Sequence, residues 1–111
     1  MDTPALTVEK IFEKVAKGIQ TRPEKVDEVG AVYLFRISGE NGGIFHVDLK
    51  DAPGVSFEVK EADCVLDIRD RDFIKLYKGT LKGYKALLNG KLKVKGSLEL
   101  VAKLKQVFDQ R

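Results

Sequence analysis

The sequence holds one cysteine and one histidine, and that scarcity removes most of the chemistry a small chain could perform. With Cys64 alone there is no internal disulfide framework, and a reducing, cytoplasmic setting fits. His46 has no second histidine or cysteine at a metal-binding or triad-like spacing. It falls on the outward side of its strand, where a solvated residue is expected. No CxxC, HExxH, GxxxxGK[ST] or GxGxxG is present, so no metal, cofactor or phosphate loop is expected. Asp67, Asp70 and Asp72 could imitate a metal cluster, but strand exit and helix capping account for all three. No apolar run approaches the roughly 18 residues of a membrane-spanning helix. The first residues, Met1-Asp2-Thr3-Pro4, lack the basic and apolar regions of a signal peptide. Repeats, low-complexity tracts and linkers are absent as well. By its residues the chain is not an enzyme.

What remains is a globular pattern, with 43% apolar and 33% charged residues in 111. That length predicts one domain over 1–111 with a single core. Thr7 caps a helix whose Val8, Ile11, Phe12, Val15 and Ile19 share a face. Pro23 opens a short second helix and Gly30 closes it. Three strands follow. Tyr33, Phe35 and Ile37 point inward from the first, Phe45, Val47 and Leu49 from the second, and Val55, Phe57 and Val59 from the third. Asn41-Gly42-Gly43 and Pro53-Gly54 supply the turns. A fourth strand places Cys64, Leu66 and Ile68 inside. Asp70 stands where an N-cap is wanted, and Gly79 ends the helix that follows. Leu81, Tyr84, Leu87 and Leu88 form another helical piece. Lys91 to Lys95 then alternates as a fifth strand, and Ser97 caps an apolar final helix. The strands run as a meander, which predicts an α+β fold: a five-stranded, mostly antiparallel sheet with helices packed on one face.

Charge is unevenly spread. Residues 1–66 carry 8 basic against 12 acidic side chains, whereas residues 67–111 carry 12 against 5, a net −4 and +7. The dense lysines (78, 82, 85, 91, 93 and 95) predict a solvated basic face. Aromatics are not interleaved with them, Tyr77 and Tyr84 falling on helix core faces, so nucleic acid is not an expected partner. A transient contact with anionic membrane is easier to defend, at ~1 kcal/mol per basic residue.

The segments Ala62-Asp63-Cys64-x-Leu66-x-Ile68-x5-Ile74-x4-Gly79 and Ala86-Leu-Leu-Asn-Gly-Lys-Leu-Lys-Val-Lys-Gly96 resemble the sterol carrier protein type 2 domain. Gly30–Ile37 and Phe45–Lys50 are similar to that family's first two strands. The resemblance implies non-catalytic binding or transfer of fatty acids, fatty acyl-CoA, sterols or phospholipids in an apolar tunnel between sheet and helices. The chain ends Phe108-Asp-Gln-Arg111. It thus lacks a Ser-Lys-Leu-type peroxisomal address, and a stand-alone cytoplasmic protein is expected. The tunnel is predicted to be lined by Phe73, Tyr77, Leu81, Tyr84, Leu87, Leu88, Leu92, Leu100, Leu104 and Phe108, with the last helix as a lid. Two other functions compete: an accessory domain that presents acyl-CoA to a separate enzyme, and a solid-core protein-interaction domain. Oligomeric state is open.

Energetics constrain such a tunnel. Burying a sixteen-carbon acyl chain releases roughly 11 kcal/mol before ordering costs. Leaving ~300–400 Å³ of apolar space empty would cost on the order of 7–10 kcal/mol, as much as a domain's whole stability. The unliganded domain should therefore be collapsed, loosened at its last helix, or already occupied.

Overall fold

A computed structural model describes residues 6–108. Ten elements follow one another: α1 (Val8–Thr21), α2 (Pro23–Val29), β1 (Val32–Ser38), β2 (Gly43–Asp48), β3 (Gly54–Ser56), β4 (Cys64–Arg69), α3 (Asp70–Lys78), α4 (Gly83–Leu88), β5 (Leu92–Lys95) and α5 (Leu98–Phe108). The predicted caps of α1 and α5 form. Thr7 Oγ1 accepts from the Lys10 amide at 3.1 Å, and Ser97 Oγ from the Glu99 amide at 3.1 Å. Gly30 and Gly79 end α2 and α3 in the left-handed region, which other residues enter at a cost.

The sheet has the order β3-β2-β1-β4-β5. Three pairings are antiparallel, but β1 and β4 run parallel, with Tyr33 opposite Cys64 and Ile37 opposite Ile68. The meander expected from chain order is thus broken after β3. A short strand with only intermediate burial takes the edge, and the more buried β4 takes an interior place between β1 and β5. The third strand also stops at Ser56, earlier than its alternation suggests, and Phe57 and Val59 are exposed. Residues 57–63 instead carry the chain from the β3 edge to β4.

That crossing revises two expectations. His46, expected in solvent, is buried. Its Nε2 donates to the Glu61 carbonyl at 3.1 Å, which fixes the proton on that nitrogen. Leu34, its partner in register on the outer face, is buried too. The outer face is therefore covered at Leu34 and His46, whereas Arg36 of β1 and the lysines of β5 remain exposed. Asp63 secures the far end of the crossing, its Oδ2 accepting from the Val32 amide at 2.9 Å and its own amide donating to the Val32 carbonyl at 2.8 Å. Asp70, expected to cap α3, is the first residue of that helix, and Arg69 is the cap. Its carboxylate reaches the β1–β2 turn instead, accepting from the Asn41 amide at 3.1 Å.

Candidate functional site

The inner face of the sheet meets the helices in a cluster of phenylalanines. Phe12 of α1 stacks on Phe45 of β2 with ring centroids 4.1 Å apart, and on Phe73 of α3 at 5.2 Å. Phe35 of β1 presents an edge to Phe12 at 5.1 Å. Phe108, on the last turn of α5, inserts among them, 6.2 Å from Phe12, 5.7 Å from Phe35 and 5.9 Å from Phe73. Tyr77 closes the row at 6.5 Å from Phe108. The space beneath the terminal helix, where the tunnel is predicted, is filled by that helix's own side chain.

The ten predicted lining residues separate into three groups. Phe73, Leu92 and Leu104 are core residues. Tyr77, Leu81, Leu87, Leu100 and Phe108 are half-buried and pack against that core, forming an apolar wall with Val101. Tyr84 and Leu88 are on the surface, 62% and 81% exposed. Only Ala86 of α4 is fully buried, so this six-residue helix lies on the core by its smallest apolar side chain. A tryptophan at position 88 would accordingly extend the surface and not block the interior. Phe12, Phe35 and Phe45 pack in the same aromatic cluster as Phe73. Their signal in the sequence was an inward position shared by three elements that chain order keeps apart.

Among the described residues a side-chain hydrogen bond ties α5 to the sheet. Tyr33, fully buried on β1, donates its hydroxyl proton to the Leu100 carbonyl in the first turn of α5. Burial pushes the phenol well above its ordinary range, with the nearby Cys64 and Asp63 adding to the effect. Burial likewise raises the Cys64 thiol, again with Asp63, so this cysteine is an inert core residue. Both groups ionise more easily in the unfolded chain, so their contribution is complete at neutral pH and lost in alkali. Stability should fall first as pH passes the ordinary thiol value of 9.0. It should fall more steeply above the ordinary phenol value of 10.0, by about 1.4 kcal/mol per pH unit for the phenol. Thermal melts from pH 7 upward check this: Tyr33→Phe should flatten the part above pH 10 and leave the earlier part unchanged.

No group of three or more metal-binding side chains occurs among the described residues. An open groove of about 740 Å³ on the outer face is lined by Arg36, Asp67, Arg69, Asp72, Lys91 and Lys93, among others. Arg36 pairs there with Asp67 at 2.9 Å. The rim of the groove is charged, but Ile37, Ile44 and Ile68 line it as well.

Comparison with known proteins agrees with this architecture. The fold overlays on sterol carrier protein 2 from Yarrowia lipolytica in its apo form with a TM-score of 0.80 and 23% identity, covering 89% of this chain and 87% of that one. It overlays on the sterol carrier protein domain 2 of Helicoverpa armigera at 0.78 with 26% identity, covering 98% and 91%. Sterol carrier protein 2 of Aedes aegypti, solved in complex with palmitate, matches at 0.76 with 25% identity over 95% and 96%. In sequence, the hydroxysteroid dehydrogenase-like protein 2 of Pongo abelii is 38% identical over 93% of this chain, and the human counterpart 37% over the same share. The chain spans about a quarter of the length of these curated relatives. Residues 12–109 match the profile of the SCP-2 sterol transfer family, and to that family the chain belongs.

Proposed function

We propose that this domain is a non-catalytic carrier of a long-chain fatty acid or a related lipid, held between the sheet and helices α3 and α5. The observation that carries the reading is the position of Phe108. It fills an apolar layer whose other wall, Tyr77, Leu81, Leu87, Leu100 and Val101, is only half-buried and can part from the core. An acyl chain can replace the Phe108 ring among Phe12, Phe35 and Phe73 without opening a void, so the unliganded state avoids the cost of an empty cavity. Binding then becomes an exchange of one apolar occupant for another, driven by the extra methylenes the lipid buries. The palmitate complex of the Aedes aegypti relative favours a fatty acid among the possible cargoes.

If Phe108 must leave before the lipid enters, removing it raises the fraction of binding-competent molecules. Phe108→Ala should tighten a fluorescent fatty acid by about tenfold in titration, at a small loss of thermal stability. Native mass spectrometry of freshly purified protein should show a lipid adduct. Absence of an adduct together with no uptake by either protein would remove the carrier reading.

A second reading has an observation of its own. The curated relatives are dehydrogenase-like proteins of about four times this length, which favours a domain that presents acyl-CoA to an attached or separate enzyme. Acyl-CoA titrated beside free fatty acid distinguishes the two. Presentation requires a preference for acyl-CoA at low salt that disappears as salt rises.

A further inference from the structure

We infer that α4 and the lysines around it form a docking surface for anionic lipid bilayers, the face on which the carrier meets the membrane. Between Asp72 and Glu99 the chain holds seven lysines and no carboxylate. Lys75, Lys78, Lys82, Lys85, Lys91, Lys93 and Lys95 are all exposed, and none is in an ion pair among the described residues. Within this basic stretch stand Tyr84 and Leu88, one helical turn apart on the same side of α4 and both largely exposed. Leu98, at the start of α5, is 59% exposed.

Exposed tyrosine and leucine side chains on a helix that itself carries Lys82 at its N-cap and Lys85 in its middle match an interface where headgroups are anionic and the layer beneath is apolar. Charge separates this patch from the other exposed apolar pair. Phe57 and Val59 alternate with Glu58 and Lys60, which pair with each other, and Glu61 follows. That surface has no free cation density to offer an anionic membrane. The basic patch also adjoins the site. Leu87, in the same turn of α4 as Leu88, belongs to the half-buried wall against the core. A lipid drawn from a bilayer held against Tyr84 and Leu88 would have a short path to that wall. The inference rests on the carrier reading for its purpose, not for its physics.

Vesicle sedimentation with the full chain tests it. With phosphatidylcholine vesicles containing roughly one-third phosphatidylglycerol, most of the protein should pellet at about 0.05 M salt and little at about 0.5 M. Pure phosphatidylcholine should retain almost none. The double substitution Lys82→Glu with Lys85→Glu should lower the partition at least twentyfold, from roughly fivefold per cation removed. Leu88→Glu should lower it about tenfold. Lys10→Glu with Lys14→Glu, the same change of net charge on the exposed side of α1, should lower it by less than about threefold. Equal losses from the two double variants would overturn the patch in favour of net charge alone. No pelleting with anionic vesicles would overturn docking outright, and an acidic protein would then be the occupant to seek. Uptake of a soluble fluorescent fatty acid, measured without vesicles, keeps the outcomes apart. Uptake without pelleting defeats the docking surface alone, and pelleting without uptake defeats the carrier reading alone.

Discussion

Phe12→Ala should cost the domain about 3–5 kcal/mol of unfolding free energy, a third or more of what a chain of this size possesses. Phe12 is 2% exposed and lies between two parallel rings, 7° from the plane of Phe45 and 4° from that of Phe73. Its edges meet Phe35 at 67° and Phe108 at 87°. A single side chain on α1 thus touches β1, β2, α3 and α5, and truncating it opens a hole where four elements converge. Stacked and edge-to-face rings add to the burial, each pair by roughly 0.5–1.5 kcal/mol beyond area. Urea unfolding should show a lower midpoint at unchanged slope, since the surface exposed on unfolding hardly alters. Phe12→Leu, which keeps most of the volume, should lose less than half as much. The carrier reading adds a second expectation. Saturating fatty acid should restore more stability to Phe12→Ala than to the parent, because the acyl chain occupies the vacated space. A loss below about 1 kcal/mol would mean that this ring is not the hub its contacts indicate.

These rings also mark how far the sequence could be read. The face of α1 was legible because Val8, Ile11, Phe12, Val15 and Ile19 repeat over four turns, enough for the helical period to fix direction. Strands β1, β4 and β5 were legible for the same reason at period two. In α4 only six residues are available, and Tyr84 and Leu88 satisfied a core pattern that Ala86, with the half-buried Leu87, in fact supplies. Strand partners were not legible. Alternation says that β4 has an apolar side, but not that it pairs with β1 in place of β3. Leu34 was a missed clue, an apolar residue on the face assigned to solvent and buried opposite the equally buried His46. The site was half legible. Periodicity identifies which face of a helix is turned inward, whereas the separation of two layers depends on how their side chains interdigitate. That Phe108 fills the slot is a property of packing, and no spacing rule encodes it.

A single methyl group should have a large effect at Gly39→Ala, where its cost can be divided between backbone strain and one neighbouring side chain. Gly39 has φ +105°, a conformation open to glycine and strained for any other residue, at ~1–3 kcal/mol. An added Cβ would also strike the Asp70 carboxylate, lying 2.5 Å from its Cγ and 2.6 Å from Oδ2. Asp70 has little room to yield. It is 8% exposed, its Oδ2 accepts from the Asn41 amide at 3.1 Å, and its Oδ1 accepts from the Arg71 amide at 2.8 Å. The carboxylate therefore clamps the β1–β2 turn to the first turn of α3, where the helix dipole also favours its charge. Gly39→Ala should lose roughly 3–5 kcal/mol, the backbone strain plus the hydrogen bonds forced apart. Asp70→Ala alone should lose about 2–3 kcal/mol, by leaving two amides without their acceptor. The double variant should not lose the sum. With the carboxylate gone the methyl loses its three nearest contacts, so backbone strain is the main addition to the Asp70 loss, and the cycle should return a coupling of about 1–2 kcal/mol. Additive losses would show that the backbone conformation of Gly39, and not its closeness to Asp70, is what the turn requires.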